Sequence, residues 1–345
     1  MTGPVDISEN WLWENYPEAF EKLLFDHTTR KNIIWATDSY LKRGDGYGFF
    51  DEITIEKITG DNGLVIHPRA LKTKEEQLKR VKDKAEVFTP SWICNAQNNL
   101  IDEAWFGRPN VFNEEVILEN GSHSWIPYER RIEFSEDKGM TWKDYVRDMR
   151  LEITCGEAPY LASRYDTVSG EPFPDLNSRI GLLDRKLRVV SENTESSGDW
   201  IEWTKKALEC TYGYEWQGDN LLLARESLLL TVFDYYYAKF GRMMPKASIP
   251  GLAYRISWNL WQMDGLKYVI PRSCERRPKL MGDWTALDDG ALETEYEICP
   301  ACKTGKGEHI GTKAKIRDWK AFHEYGLKNK SKTDIPFIQI VNKCQ

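Results

Sequence analysis

Three short segments of this chain end in residues suited to gripping a nucleoside-type ligand. Glu152-Ile153-Thr154-Cys155-Gly156-Glu157-Ala158 runs directly into a turn, and Gly156 lets another molecule approach the backbone closely. Tyr212-Gly213-Tyr214-Glu215 ends on a carboxylate that can accept from ribose hydroxyls. Asn259-Leu260-Trp261-Gln262-Met263-Asp264-Gly265 ends on a second carboxylate, suited to the edge of a base. Ligands of open parallel sheets bind beyond the carboxyl ends of the strands, so the three converge only if each ends a strand of one sheet. Farther on, Cys299-Pro300-Ala301-Cys302 is followed seven residues later by His309. With Cys274 or Cys344 as a further ligand this spacing suits a small zinc ribbon, and a loop carrying two free thiols reads the same residues as well.

The surrounding pattern supplies the required elements. Met149–Cys155, Thr211–Glu215 and Ala253–Trp261 read as strands. Asp184–Asn193, Trp200–Cys210 and Asn220–Phe240 read as the helices between them, which predicts a parallel sheet with crossover connections. Upstream, Asn10–Asp26 carries Trp11, Tyr16, Phe20 and Leu24 at helical spacing, and Asn32–Thr37 is a short apolar run. Gly44–Gly48 lacks the flanking strand and helix of a phosphate loop and reads as a plain loop. Thr73–Val87 is a polar helix, and Ile93–Ala104 is a helix that Ser91 is placed to cap. The expected organisation is a mainly helical region over 1–106, an irregular polar insertion over 107–140, an α/β core over 141–271 and a polar tail over 272–345.

Composition narrows the function class. The net charge is −7, which argues against a protein that simply coats nucleic acid. The basic stretches Lys72–Lys84 and Arg272–Lys279 read as solvated faces. Among the 14 tryptophans, Trp11, Trp13, Trp35, Trp142 and Trp203 sit in patterns that suit core packing. No run of apolar residues is long enough for a membrane span and no signal segment opens the chain, so no membrane association is expected. Seven scattered cysteines suit a reducing, cytoplasmic setting. His27, His67, His123 and His323 are dispersed and form no metal or base cluster, and Cys155 reads as a buried turn cysteine.

These residues resemble the N6-adenine DNA methyltransferases, especially the methylation (M) subunits and fused methylase-nucleases of restriction–modification systems. Phe88-Thr89-Pro90 before a helix is similar to the family's FTP element, which lies against the methionine end of S-adenosylmethionine (SAM). Thr154–Leu161 resembles its glycine motif, Tyr212–Asn220 its ribose-binding segment, and Asn259–Leu266 its adenine-reading segment. The longer phrases Asn10–Asp38 and Ala85–Asp102 resemble bacterial proteins named restriction endonuclease subunit M, so the likeness spans most of the chain. It implies a Rossmann-like SAM-dependent methyltransferase core. Thr89, Pro90, Thr154, Cys155, Gly156 and Glu157 would line the cofactor, Glu215 would hold its ribose and Asp264 its adenine. DNA would be the substrate, and a specificity, nuclease or second methylase subunit the partner.

The departures bear on activity. Ala158 stands where the family carries a second glycine, and about fifty-five residues separate Gly156 from Tyr212. The family transfers methyl groups with an Asn/Asp-Pro-Pro-Tyr loop after the third strand, and no Pro-Pro follows Asp264. Ala158-Pro159-Tyr160 has a similar look but lies within the cofactor turn and lacks the polar first residue. The catalytic residues therefore stay unassigned. Either a partner chain or a divergent loop supplies them, or the chain is an inactive, methyltransferase-derived subunit or defence-associated binding protein.

Overall fold

A computed structural model of the chain describes residues 8–75, 89–135, 139–166, 168–173, 175–275 and 298–344. Most of the helix expected over Thr73–Val87, and Phe88 of the FTP element, lie outside the described residues.

The N-terminal helix is two helices, α1 (Glu9–Asn15) and α2 (Pro17–Leu24). Tyr16 between them is non-helical, at φ −142° and ψ 54°, because Pro17 disfavours the helical region for the residue before it. Residues Phe25–Asp26 (β1) and Lys31–Asn32 (β2) pair antiparallel, and Ile55–Ile58 forms α3. The loop expected at Gly44–Gly48 is present. Helix α4 (Ser91–Phe106) begins two residues earlier than expected, with Pro90 rather than Ser91 at its N-cap. Residues 107–140 are not wholly irregular: Asn113–Ile117 (β3) and His123–Pro127 (β4) form an antiparallel hairpin, and α5 (Trp142–Arg147) follows behind a Thr141–Asp144 capping box.

The chain is mixed α/β, with small sheets that include a parallel one of three strands in sequence order, β5 (Arg150–Glu152), β6 (Thr211–Glu215) and β7 (Leu260–Gln262). Pairing continues past the strand ends, where the Cys155 N–H donates to the Tyr214 carbonyl (2.8 Å) and the Met263 N–H to that of Glu215 (2.9 Å). Helices α6 (Leu182–Asn193) and α7 (Ser197–Glu209) connect β5 to β6. Helices α8 (Gly218–Phe240) and α9 (Ile249–Asn259) connect β6 to β7. The third strand expected over Ala253–Trp261 is therefore mostly helix. Pro250 in its first turn favours helix initiation, and Leu252, Ala253 and Ile256 share a helical face that is buried.

Side-chain alternation divides the strands between two cores. Leu260 joins the large core formed with α2, α6, α8 and α9, whereas Tyr214, Trp261 and Met263 join a smaller one with the tail. The tail contributes α10 (Pro300–Thr304), an antiparallel pair of β8 (Lys315–Arg317) and β9 (Asp334–Pro336), α11 (Trp319–Tyr325) and α12 (Lys330–Thr333) between them, and α13 (Phe337–Cys344). It docks through Trp319, whose indole N–H donates to Asn259 Oδ1 at 2.7 Å, while the same amide donates to the carbonyls of Leu208 and Thr211. Over β5 the second face stays open. Leu151 is 46% and Ile153 64% exposed, and an apolar groove of about 820 Å³ is lined by Leu151, Tyr212, Trp261, Ile335, Phe337 and Ile340. No helix among the described residues is long and apolar enough to cross a membrane.

The N-terminal region is bound to the sheet end by close backbone approach. The Gly218 N–H donates to the Trp35 carbonyl at 3.0 Å, and a Cβ on Gly218 would lie 2.1 Å from the Ile34 carbonyl oxygen and 2.9 Å from Ile53. Gly218→Ala is therefore expected to cost about 2–3 kcal/mol in urea denaturation, since a rigid backbone must move. Gly198→Ala, whose Cβ meets nothing closer than 3.9 Å, serves as the control and should cost nothing. An equal effect of the two would show that the packing at Gly218 is looser than this.

Candidate functional site

The segment that follows β5 is strained. Thr154 has φ +47°, Gly156 +55° and Ala158 +62°, so alternate residues of the turn are left-handed and two of the three carry a Cβ. Ala158 thus occupies a conformation that favours glycine, at the position where the resembling family carries one. Its methyl is fully buried, and its N–H donates to the Cys155 carbonyl at 2.7 Å. Cys155 is buried as expected, and packing pushes its thiol well above the ordinary range. A Cβ on Gly213 of β6 would lie 3.2 Å from its sulfur, so a glycine there lets the turn sit close to the sheet.

Parallel pairing of β5 and β6 brings Glu215 against this turn. Its Oε2 accepts the Gly156 N–H at 2.9 Å and its Oε1 the Gln217 N–H at 3.1 Å. Burial raises its pKa to about 7, although the N–H groups of Gln217, Gly156 and Trp216 oppose that rise. The carboxyl group is thus held at the ends of two adjacent strands by backbone N–H groups.

Glu152, at the end of β5, and Asn98, on α4, were not singled out as site residues in the sequence. They line a cavity of about 310 Å³ together with Gln97, Ile101, Leu151 and Tyr160. Asn98 donates to the Tyr160 and Ile180 carbonyls, but among the described residues its Oδ1 has no hydrogen-bond partner, and neither has Glu152 Oε2. Burial raises the Glu152 pKa well above the ordinary range; the N–H groups of Tyr160 and Leu161 work against this, and the charge of Glu215 adds to it. Two buried polar atoms without partners favour a ligand that offers a polar group to each. The sequence signal was an inward stripe of polar residues at helical spacing, Asn95, Asn98 and Asp102, all buried.

Thr89 and Pro90 reach the same place. Thr89 hydrogen-bonds the Tyr160 side chain, its carbonyl accepts from the Cys94 thiol, and Pro90 opens α4. The other expected residues are engaged internally. Glu157 is buried, accepting the Arg69 N–H at 2.7 Å and the Tyr165 hydroxyl at 2.7 Å. Asp264 is buried beyond β7, where its Oδ1 accepts the N–H groups of Leu266 and Lys267 and its Oδ2 lies 3.8 Å from Lys267 Nζ. Lys72, read as solvated, is buried with its ammonium 4.0 Å from Asp219. His27 is half-buried, stacked on Trp258 and hydrogen-bonded to the Ser257 hydroxyl.

In the tail, Cys299, Cys302 and His309 come together, and Cys274 is the fourth member of the cluster. Their donor atoms all lie within 4.8 Å of one another, with His309 Nδ1 3.6 Å from Cys299 Sγ and 3.4 Å from Cys302 Sγ. Burial alone would raise the Cys299 thiol, but the N–H groups of Ile310 and Cys302 and the His309 ring lower it to about 6.

No protein-family model, curated protein or solved structure matches this chain.

Proposed function

We propose that the chain is the SAM-holding methylation subunit of a DNA restriction–modification system, built on a Rossmann-like core. The observation that carries this reading is the left-handed turn at Thr154, Gly156 and Ala158, held against Glu215 at the carboxyl ends of β5 and β6. The cavity beside it supports the same reading, because Glu152 Oε2 and Asn98 Oδ1 are buried polar atoms without partners among the described residues, placed to meet the polar end of an amino acid moiety. Thr89 and Pro90 would flank that end, Thr154, Cys155 and Gly156 the turn, Glu215 the ribose and Asp264 the adenine. Glu157 would act from behind, by holding the turn to Arg69 and Tyr165. When bound, SAM supplies an activated methyl group for transfer to the amino nitrogen of adenine. DNA and a partner subunit carrying the Pro-Pro-Tyr type loop complete the proposed enzyme.

Calorimetric titration of the purified chain with SAM tests the reading. Micromolar binding is expected, weakened about 10–100-fold by Glu215→Ala through loss of charged hydrogen bonds. Glu152→Gln should weaken SAM more than an analogue lacking the amino group. Absence of any binding would sink the proposal.

The missing Pro-Pro sequence favours a second reading, a methyltransferase-derived subunit that binds without catalysing. Tritiated methyl transfer to adenine-containing DNA, with the products of neighbouring genes added, separates the two. Incorporation supports the enzyme, whereas SAM binding without incorporation in any combination supports the binding subunit.

A further inference from the structure

We infer that Cys274, Cys299, Cys302 and His309 hold one structural zinc ion, and that this ion fixes the turn bearing Asp264. The site is independent of whether the chain binds SAM. Three thiols and one imidazole form a donor set that suits Zn²⁺ and is poor for Mg²⁺ or Ca²⁺. In a tetrahedron with Zn–S of about 2.3 Å and Zn–N of about 2.0 Å, each sulfur–nitrogen edge is about 3.5 Å. The edges from His309 Nδ1 to Cys299 and Cys302 are 3.6 and 3.4 Å. With four protein ligands no coordination position is left for water or substrate, which makes the site structural.

Backbone N–H groups face the ligand sulfurs. Cys299 receives the N–H groups of Ile310 and Cys302, and Cys274 receives that of Gly311. Gly311 has no substitute here, because a Cβ would lie 2.8 Å from Cys274 Sγ and 2.6 Å from Ser273 Oγ.

The cluster is wired directly to Asp264. The Asp264 N–H donates to the Val269 carbonyl and the Tyr268 N–H to the Asp264 carbonyl, both at 2.8 Å. Val269 packs with Cys274, Cys299 and Ala301 in a core of its own, and Ile310 lies against it. Two further backbone bonds, Ile270 to Thr312 (2.9 Å) and Ala314 to Tyr268 (3.1 Å), tie the tail alongside. Lys267 spans the junction, with its ammonium near Asp264 and hydrogen-bonded to Cys302. A core this small does not hold a loop unaided, and an ion bridging its two halves supplies the missing stabilisation.

The test uses the full chain purified without a metal-binding tag. Elemental analysis is expected to give about one zinc ion per chain, and Co²⁺ substitution the visible spectrum of a tetrahedral thiolate site. Cys302→Ser should weaken zinc at least about tenfold, while Cys210→Ser should leave it unchanged. Peptide-level hydrogen exchange then follows metal removal from the unmutated protein. Faster exchange over 264–272, with the 155–161 segment unaffected, is expected. Less than about 0.2 zinc per chain together with no cobalt spectrum would overturn the site. Bound zinc whose removal leaves exchange over 264–272 unchanged would overturn its link to Asp264.

Discussion

Glu215→Gln is expected to stabilise the protein above pH 7 while weakening its hold on SAM. The sign follows from linkage. The native pKa of Glu215 is raised from 4.5 to about 7 by burial, so the folded chain keeps a proton there that the unfolded chain has released. Its favourable contribution is complete below pH 4.5, declines as pH rises towards 7, and is lost above that. A shift of this size corresponds to about 3 kcal/mol at most. Glutamine mimics the protonated form and does not titrate. It also surrenders one of the two acceptors now serving Gly156 and Gln217, which returns about 1 kcal/mol. Melting temperatures of the two proteins should therefore diverge between pH 4.5 and 7.5, the variant gaining with rising pH. A difference that does not depend on pH would show that Glu215 is ionised throughout. Coupled with tenfold or greater loss of SAM affinity, divergence would mark Glu215 as a group kept for binding at the expense of stability.

Arg225→Met should cost the largest part of the protein's stability. Arg225 on α8 is fully buried, and its hydrogen bonds among the described residues are to backbone carbonyls, with no carboxylate in the set. It donates to the carbonyls of Leu23, Phe25, Ser257 and Leu260, which joins the end of α2, the end of α9 and the start of β7. Burial draws its pKa down to about 10, leaving it charged at neutral pH. Methionine fills similar volume but leaves those carbonyls without these donors, at about 1–3 kcal/mol each. The sum reaches about 4 kcal/mol or more, against a usual total of about 5–15. Urea denaturation, or loss of soluble protein, would show it. A change below about 1 kcal/mol would mean that other donors replace the guanidinium.

Much of the α/β pattern was legible because helical spacing and short apolar runs survive in one sequence. The crossover helices α6, α7 and α8 and the strands β5 and β6 lie within a few residues of their expected positions. The third strand was misread because Tyr254–Leu260 alternates apolar residues with Arg255, Ser257 and Asn259, and that period of two mimics a half-buried strand. Pro250, just upstream, was the available signal. The hairpin in 107–140 was hidden by its exposure: β3 and β4 carry few buried residues, so alternation was weak.

Residue types alone determined which groups here are able to do chemistry: the turn at Gly156, the carboxylates Glu215 and Asp264, and the Cys-x-x-Cys with His309. Those are local properties, set by one side chain or by spacing within a few residues. Which groups meet was decided by tertiary structure. Parallel pairing set Glu215 against Gly156, and the approach of α4 to β5 made a cavity from Glu152 and Asn98. The bridge from Val269 to Lys313 chose Cys274 for the metal cluster and joined that cluster to Asp264. Contacts between residues dozens to hundreds of positions apart depend on how whole elements pack, and no short-range pattern encodes them. The strained turn shows both levels at once. Ala158 was read as a departure from a glycine motif, and the folded chain keeps that residue left-handed all the same, because the packing around Cys155 and Gly213 requires the turn.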